Sequence, residues 1–314
     1  MLVLVTNRED LTADWLVLEL ERRSQPFIRV STEDYPTCMG IELTPDHARL
    51  HLGAMTLDAE AITSVWWRRP LAPTITRTDT TAPLDWAVGE AQVAWEGFWR
   101  TVDAHWVNHP SANERTDCKP FQLREARRHG LLVPPTVITN RIEVARSFQA
   151  EHGAIVCKPL RESVVPTTGG TRALYTQQLN ANAFDRVGSL GPEPYLLQAF
   201  VDKTADIRAT VIGDQIFATR IDSQAAVEAT VDWRLGVAEE LHHESIALDD
   251  RTAGQLRAIT AAFGLRFAAI DLAIDHDGRY FFFEVNPNGQ WAWIEQLTGQ
   301  PLRAALANEL QAPR

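Results

Sequence analysis

Three observations predict a mixed α/β and α+β chain of more than one domain. The 314 residues are roughly two domains' worth of chain at about 150 residues each. The N-terminus runs from an apolar strand through an amphipathic helix to a second strand, the order of an α/β unit. Further on, two pairs of apolar stretches flank Gly213-Asp214 and Asp277-Gly278, dipeptides that favour the tight turns of antiparallel hairpins.

Taken in order, Leu2–Val5 is a buried first strand, Asp10–Arg23 an amphipathic helix and Phe27–Val30 a second short strand. Ala61–Trp67 is strand-like and ends in Arg68-Arg69-Pro70. Beyond a Thr/Pro-rich loop at 70–83, Leu84–Val102 carries Trp86, Val93, Phe98 and Val102 at helical spacing. Seven of the ten tryptophans fall in this first third, where aromatic stripes usually pack a core. A second unit begins near Ser111. Glu114–His129 reads as one helix stopped by Gly130, and Pro134-Pro135 impose an extended exit. Ala154–Lys158 is a strand, Glu162–Arg172 a polar loop and Tyr195–Val201 another strand. The hairpins Ile207–Ile212/Gln215–Ile221 and Phe267–Ile274/Tyr280–Val285 are separated by a helix at Asp250–Gly264, and two short helical stretches follow. The resulting division is an α/β domain at 1–110, a central lobe at 111–194 and a C-terminal lobe at 195–314.

Composition excludes several classes. Hydrophobic residues at 45% and charged residues at 23% are near globular averages, against disorder or a fibre. No apolar run approaches the roughly 20 residues that span a bilayer, so a membrane partner is not expected. The opening residues lack the basic flank and cleavage pattern of a signal peptide. Cys38, Cys118 and Cys157 have no paired spacing, which points to a reducing, cytoplasmic setting. A net charge of −11 argues against nucleic acid as partner. That charge is uneven: residues 1–110 carry −7 and 173–314 carry −8, while 111–172 carry +4. A basic segment between two acidic ones suits a phosphate-bearing ligand.

The run Arg279-Tyr-Phe-Phe-Phe-Glu284-Val-Asn286-Pro287-Asn288-Gly289 is the most informative stretch. Glu284 and Asn286 are two apart on a strand and therefore share a side, and Asp271 sits on the partner strand where it can face them. Three oxygen donors on rigid strands suit a hard cation such as Mg²⁺; solvated strand ends are the plainer alternative. Neither a P-loop nor a Gly-x-Gly-x-x-Gly motif occurs. Lys158 instead closes an apolar strand, Lys119 opens the helix before Gly130, and the loop with Thr168, Gly169 and Gly170 offers backbone N–H groups. Each of these alone has a structural explanation. Adjacent His242 and His243 lack metal-pair spacing and read as surface residues.

In order, the two lysines, the glycine loop, Gln198-Ala199-Phe200-Val201, Asp206-x-Arg208, Asp271 and Glu284-x-Asn286 resemble the ATP-grasp superfamily over about 111–300. The resemblance implies an ATP-grasp fold with an N-terminal pre-ATP-grasp domain, ATP held between two lobes and Mg²⁺ as cofactor. It assigns Lys119 and Lys158 to phosphates, Thr168, Gly169 and Gly170 to the loop over them, and Gln198, Ala199, Phe200 and Val201 to the adenine. It assigns Asp271, Glu284 and Asn286 to magnesium. Trp67-Arg-Arg-Pro70, Asp232-Trp-Arg234 and Gly289-Gln-Trp-Ala-Trp-Ile-Glu295 are similar to graspetide synthetases, microviridin-type maturases of ribosomal peptides.

That narrower likeness implies an enzyme that activates Asp or Glu side chains of a precursor peptide as acyl phosphates. It then joins them to Ser/Thr hydroxyls or Lys amines. The peptide partner would have a leader and a core, and the enzyme would be a homodimer. Arg208 suits a substrate carboxylate or the acyl phosphate, because its planar fork pairs bidentately. Asp206 is left with three roles: orienting Arg208, accepting a ribose hydroxyl or receiving the nucleophile's proton. Arg220 is a second anion-binding candidate or a hairpin ion pair. Asp232, Trp233 and Arg234 are peptide-contact candidates, with Trp291 and Trp293 either peptide contacts or core. The hairpin at 206–221 and the helix at 84–102 are where the likeness places a leader groove. An amino-acid ligase of the ribosomal-protein glutamate ligase type and a non-catalytic ATP-binding scaffold are the competing readings.

Overall fold

A computed structural model describes residues 1–312 apart from 161–163, 168–169, 181, 185–186 and 238–239. Thr168 and Gly169 of the glycine loop lie outside the described residues.

The first domain starts with β1 (Leu2–Thr6), α1 (Leu11–Arg22) and β2 (Phe27–Ser31). Asp10 caps α1 by accepting from the backbone N–H of Thr12 and Ala13, satisfying donors that the first turn leaves free. Three short antiparallel strands follow, β3 (Met39–Leu43), β4 (Ala48–Leu52) and β5 (Met55–Asp58), in a stretch where the sequence pattern signals none. Then come β6 (Ser64–Trp67), α2 (Leu84–Thr101) and β7 (His105–Val107). β2, β1, β6 and β7 form a parallel sheet in that order. β1 is buried along its whole length, which is why it reads as continuous apolar sequence. Its period of two sends Leu2 and Leu4 into one core with α1, and Val3 and Val5 into another. The second core holds Trp95, Phe98 and Trp99 of α2, so most of the tryptophans pack as expected; Trp86, 60% exposed, does not.

The helix expected over 114–129 is two helices, α3 (Pro110–Thr116) and α4 (Lys119–Arg128). Pro120 sits in the first turn of α4, where its missing N–H is harmless, and it cannot continue a preceding helix. Next come β8 (Thr136–Thr139), α5 (Ile142–His152) and β9 (Ile155–Lys158). The region expected as a polar loop carries a hairpin of β10 (Val164–Thr167) and β11 (Gly170–Ala173). β12 (Gln177–Leu179) and β13 (Tyr195–Ala199) complete an antiparallel sheet in the order β12-β9-β13-β8. β13 was expected to open the C-terminal lobe. It is instead hydrogen-bonded between β8 and β9 and belongs to this sheet.

The last sheet is antiparallel, with β14 (Lys203–Ile212), β15 (Gln215–Ile221), β16 (His243–Ile246), β17 (Phe267–Asp275) and β18 (Tyr280–Asn286) in the order β16-β15-β14-β17-β18. Helix α6 (Asp250–Phe263) ends at Gly264, whose φ of 73° is the left-handed cap glycine supplies without strain. α7 (Ala292–Thr298) and α8 (Leu302–Leu310) return to pack against α1 and β1. Along β14, Ile207, Ala209 and Val211 enter the core under α6, which leaves Asp206 and Arg208 on the opposite face.

Candidate functional site

A cleft of about 380 Å³ lies between the β12-β9-β13-β8 sheet and the opposite face of the last sheet. Register builds its floor. Arg208 of β14 lies directly opposite Asp271 of β17, which lies opposite Glu284 of β18, so the three side chains form one row across three strands. Asn286 lies opposite Ala269, one step further along the same face. A β-bulge between Asp271 and Leu272 shifts the alternation of β18, so Phe282 and Val285 enter the core while both Phe283 and Glu284 line the cleft.

Cations meet this floor from two sides. Lys119, at the start of α4, places Nζ 3.3 Å from Glu284 Oε2 and donates to the Pro159 carbonyl at 2.8 Å. Lys158, from β9, donates to Gln198 Oε1 at 2.9 Å and stands 4.0 Å from the centre of the Phe283 ring. Burial holds the Lys158 amine down to about 8, against the pull of Glu284, with Lys119 and Lys203 pushing the same way as burial. A lysine so poised gains its charge from an anion. Burial raises the Asp271 carboxyl, with the nearby Glu284 charge adding to it and Arg208 opposing. Glu284 is nonetheless held low by its cations, Lys119 first, against burial.

Lys203 is a cleft residue that sequence reasoning passed over. It is 5% exposed and donates to Asp206 Oδ1 at 2.8 Å and to the Val231 carbonyl at 3.2 Å. Asp206 therefore pairs with Lys203 and does not orient Arg208, whose Nη1 lies 2.6 Å from Asp271 Oδ1. Gln122 of α4 was also missed. Its amide takes the Val285 N–H and donates to the Val285 carbonyl, acting as an extra strand that pins β18 beside Glu284 and Asn286.

Asp232, Trp233 and Arg234 line the same cleft. Asp232 accepts from the Thr176 N–H at 2.9 Å and from Arg234 at 2.8 and 2.7 Å, a bidentate pair. These hydrogen bonds hold its carboxyl at about 2 although burial opposes them. The Trp233 and Trp293 rings pack 5.2 Å apart with their planes tilted by 34°, and the His243 ring meets Trp293 edge-on at 5.4 Å, so His243 is half-buried and only His242 is a surface residue. Trp291 is fully buried in the core with α1 and α8.

Arg220 is not brought to the cleft. It lies opposite Ile207, so it shares the face turned to α6, and it pairs with Asp222 at 3.0 Å. The 206–221 hairpin lies between β17, which pairs with β14, and β16, which pairs with β15 over Ala218–Ile221. Gln198, Ala199, Phe200 and Val201 do line the cleft, with Gln198 held by Lys158 and by Thr136. Gly170 stands in β11.

The first domain reaches this site through Arg68 and Arg69. Arg69 has φ 45°, a left-handed turn that brings two consecutive side chains to one loop. Arg68 donates to the carbonyls of Asn288 and Gly289, and Arg69 donates to that of Asn288. Arg68 is 1% exposed; burial lowers its guanidinium to about 10, and Asp10, 3.2 Å away, opposes the shift.

Two lobes closing on a cleft with lysines on one wall and carboxylates on the other, behind an α/β domain, is the ATP-grasp fold. Residues 1–114 match the family model described as the MvdD pre-ATP grasp domain. A RiPP-associated ATP-grasp ligase of Chryseobacterium gregarium, solved with ADP and a leader and core peptide, superposes with TM-score 0.90 at 24% identity, covering 100% of this chain and 97% of that one. The macrocyclase MdnB from Microcystis aeruginosa superposes with TM-score 0.80 at 26% identity, covering 98% of each chain. MdnC of the same organism, bound to its precursor peptide MdnA, gives TM-score 0.85 at 22% identity over 99% and 98%. No curated protein sequence matches the chain. The likeness read from the sequence to ATP-grasp peptide maturases is thus met by the whole fold.

Proposed function

We propose that this chain is an ATP-dependent peptide macrocyclase. It would activate Asp or Glu side chains of a ribosomal precursor peptide and join them to Ser/Thr hydroxyls as esters or to Lys amines as amides. The observation that carries this reading is Asp271, Glu284 and Asn286 lining one cleft with Lys119 and Lys158, with Arg208 paired to Asp271 in the same strand row. Among structures of the same fold, one holds ADP with a leader and core peptide, one a precursor peptide, and two a precursor with Mg and ADP.

The chemistry proceeds in two displacements. An oxygen of the acceptor carboxylate attacks the γ-phosphorus of ATP, the bond from that phosphorus to the bridging oxygen breaks, and ADP departs. The hydroxyl or amine then attacks the acyl carbon, loses its proton, and expels phosphate as the carbon–oxygen bond breaks. Lys119 and Lys158 would offset charge on the phosphates, and Gln198 to Val201, which line the cleft, would take the adenine. Asp271, Glu284 and the Asn286 amide oxygen form an all-oxygen donor set that fits Mg²⁺; they would hold the ion, and it would supply charge neutralisation for the phosphates. Arg208 holds Asp271 in that set. Asp206 holds Lys203, whose buried ammonium faces the same space.

In this reading the lobes divide after Val201, since β13 belongs to the central sheet. The same reading carries the homodimer, for which the exposed Trp86 and Val93 of α2 offer an apolar face, and a cytoplasmic location. Among the described residues no helix is long and apolar enough to cross a membrane.

Incubation of the protein with ATP, Mg²⁺ and a candidate precursor peptide is expected to remove one water per crosslink, read by mass spectrometry. A gain of amino-acid mass would instead mark an amino-acid ligase. A second expectation concerns pH. Lys158 titrates near 8 in the free protein, so below that pH it already carries the charge a phosphate needs. Above it, binding must take up a proton, and affinity for ADP falls by as much as about tenfold per pH unit. Equilibrium titrations from pH 6.5 to 9.5 should show a plateau and then this decline, and Lys158→Gln should flatten it.

A further inference from the structure

Three guanidinium groups converge on the Asn288-Gly289 dipeptide. Arg68 and Arg69 donate to its carbonyls, and Arg208 Nη2 stands 3.3 Å from where a Cβ on Gly289 would lie. The dipeptide adjoins the proposed magnesium ligands. The Asn288 N–H donates to Asn286 Oδ1 at 2.9 Å, and Arg208 is paired with Asp271. In the row across the sheet, Glu284 on β18 is the end that meets Lys119, and Arg208 on β14 is the other end. If the phosphates occupy the lysine end, the arginine end is left for the group that attacks them.

Two carboxylates balance these three cations. Asp271 pairs with Arg208. Asp10 lies 3.2 Å from Arg68 Nε and also accepts from Thr6 Oγ1 and from the N–H groups of Thr12 and Ala13. Arg69 is left over. Its Nε serves Asn288, and among the described residues its Nη1 and Nη2 have no hydrogen-bond or ion-pair partner. It is also the one a solute can reach: Arg69 is exposed, whereas Arg68 and Arg208 are buried. The Arg208 charge joins burial in holding the Arg69 guanidinium below the usual arginine value, against the pull of Asp10. An anion on the free edge of Arg69 relieves that repulsion. Its φ of 45° is one that glycine adopts without cost, so the strain here is borne by a residue whose side chain the turn delivers. A planar fork with two free N–H edges suits a carboxylate.

We propose that Nη1 and Nη2 of Arg69 bind the carboxylate of the acceptor side chain, at the end of the donor row remote from Lys119. The proposal rests on the macrocyclase reading and names, in the first domain, the residue that receives the group to be activated. Arg208, whose Nη1 is committed to Asp271, stands behind it as a second positive charge.

The test uses the full chain with Mg²⁺ and ADP and two probes of nearly equal shape, N-acetyl-glutamate methylamide and N-acetyl-glutamine methylamide, titrated by ligand-observed NMR. The glutamate probe is expected to bind saturably and at least fivefold more tightly than the glutamine probe. Arg69→Gln should weaken the glutamate probe at least fivefold and leave the glutamine probe unchanged. Affinity for ADP should also stay unchanged, because Arg68 still grips Asn288. Arg69→Lys keeps the charge but loses the fork, and should weaken the glutamate probe at least threefold; it decides the matter alone if Arg69→Gln does not fold. The proposal is overturned by no saturable binding of the glutamate probe to the unaltered chain, by equal affinity for the two probes, or by glutamate-probe affinity unchanged in either variant. Because the probes need no ATP turnover, binding lost with Arg69 upholds the carboxylate site even if no peptide loses water. Crosslinking with probe affinity indifferent to Arg69 sinks this proposal and spares the macrocyclase reading.

Discussion

Glu284→Gln is expected to lower peptide modification by about 10²–10³-fold, the scale of losing one preorganised charged group at a transition state. The effect has two sources. The Glu284 carboxylate is one of three oxygen donors, and an amide oxygen in its place withdraws a full negative charge from the cation site. It also holds the Lys158 amine up, as Asp232 does to a lesser degree, against burial, Lys119 and Lys203, which push it downward. Without Glu284, Lys158 gives up its proton at a lower pH, so a larger fraction of it meets phosphate as a neutral amine. The measurement is single-turnover modification at pH 7 and pH 6 with saturating peptide. A larger deficit at the higher pH identifies the second source. A variant that modifies peptide at the unaltered rate would remove this residue from the site.

Arg208→Ala is expected to destabilise the unliganded protein by about 3–5 kcal/mol, as removal of one partner from a buried ion pair does. The pair is 2.6 Å long, with side chains only 8% and 15% exposed. It leaves Asp271 beside Glu284 with its principal counter-charge gone, in a place where burial already favours the neutral carboxyl. Urea denaturation should show the loss, and Asp271→Asn in the same chain should recover most of it. Activity should not return in the double variant, because Asp271 is itself one of the proposed ligands. If stability did not return either, the cost would lie in the lost packing of the Arg208 side chain and not in the charge.

The parts of this molecule that were legible in the sequence are those in which a residue's role is local. β1 and α1 announce themselves by continuous apolar sequence and by Asp10 at the cap. The two C-terminal hairpins follow from their turns, and the shared side of Glu284 and Asn286 follows from the strand period. The strands β3, β4 and β5 were missed because they are short and only partly buried, so their alternation is faint. Lys203 and Gln122 escaped for a different reason. Gln122 acts on a strand 163 positions away, and Lys203 gains meaning from Asp206 and from a sheet it faces only in three dimensions. The two readings of Arg220 were decided by which face of β15 it occupies, which depends on register with β14 and not on composition.

The hold that Arg68 and Arg69 exert on the loop after β18 has a consequence for how this protein can vary. Guanidinium groups there grip carbonyl oxygens, which every amino acid possesses, so the clasp reads the path of the chain and ignores what is attached to it. Position 288 is thus open to exchange as far as the clasp is concerned. Position 289 is not, since any side chain on Gly289 would collide with the Cβ of Ala269 on the neighbouring strand. The two halves of the molecule are consequently coupled at this point through hydrogen bonds to the backbone, and a pair of arginines in the first domain can serve a family of different loops in the second.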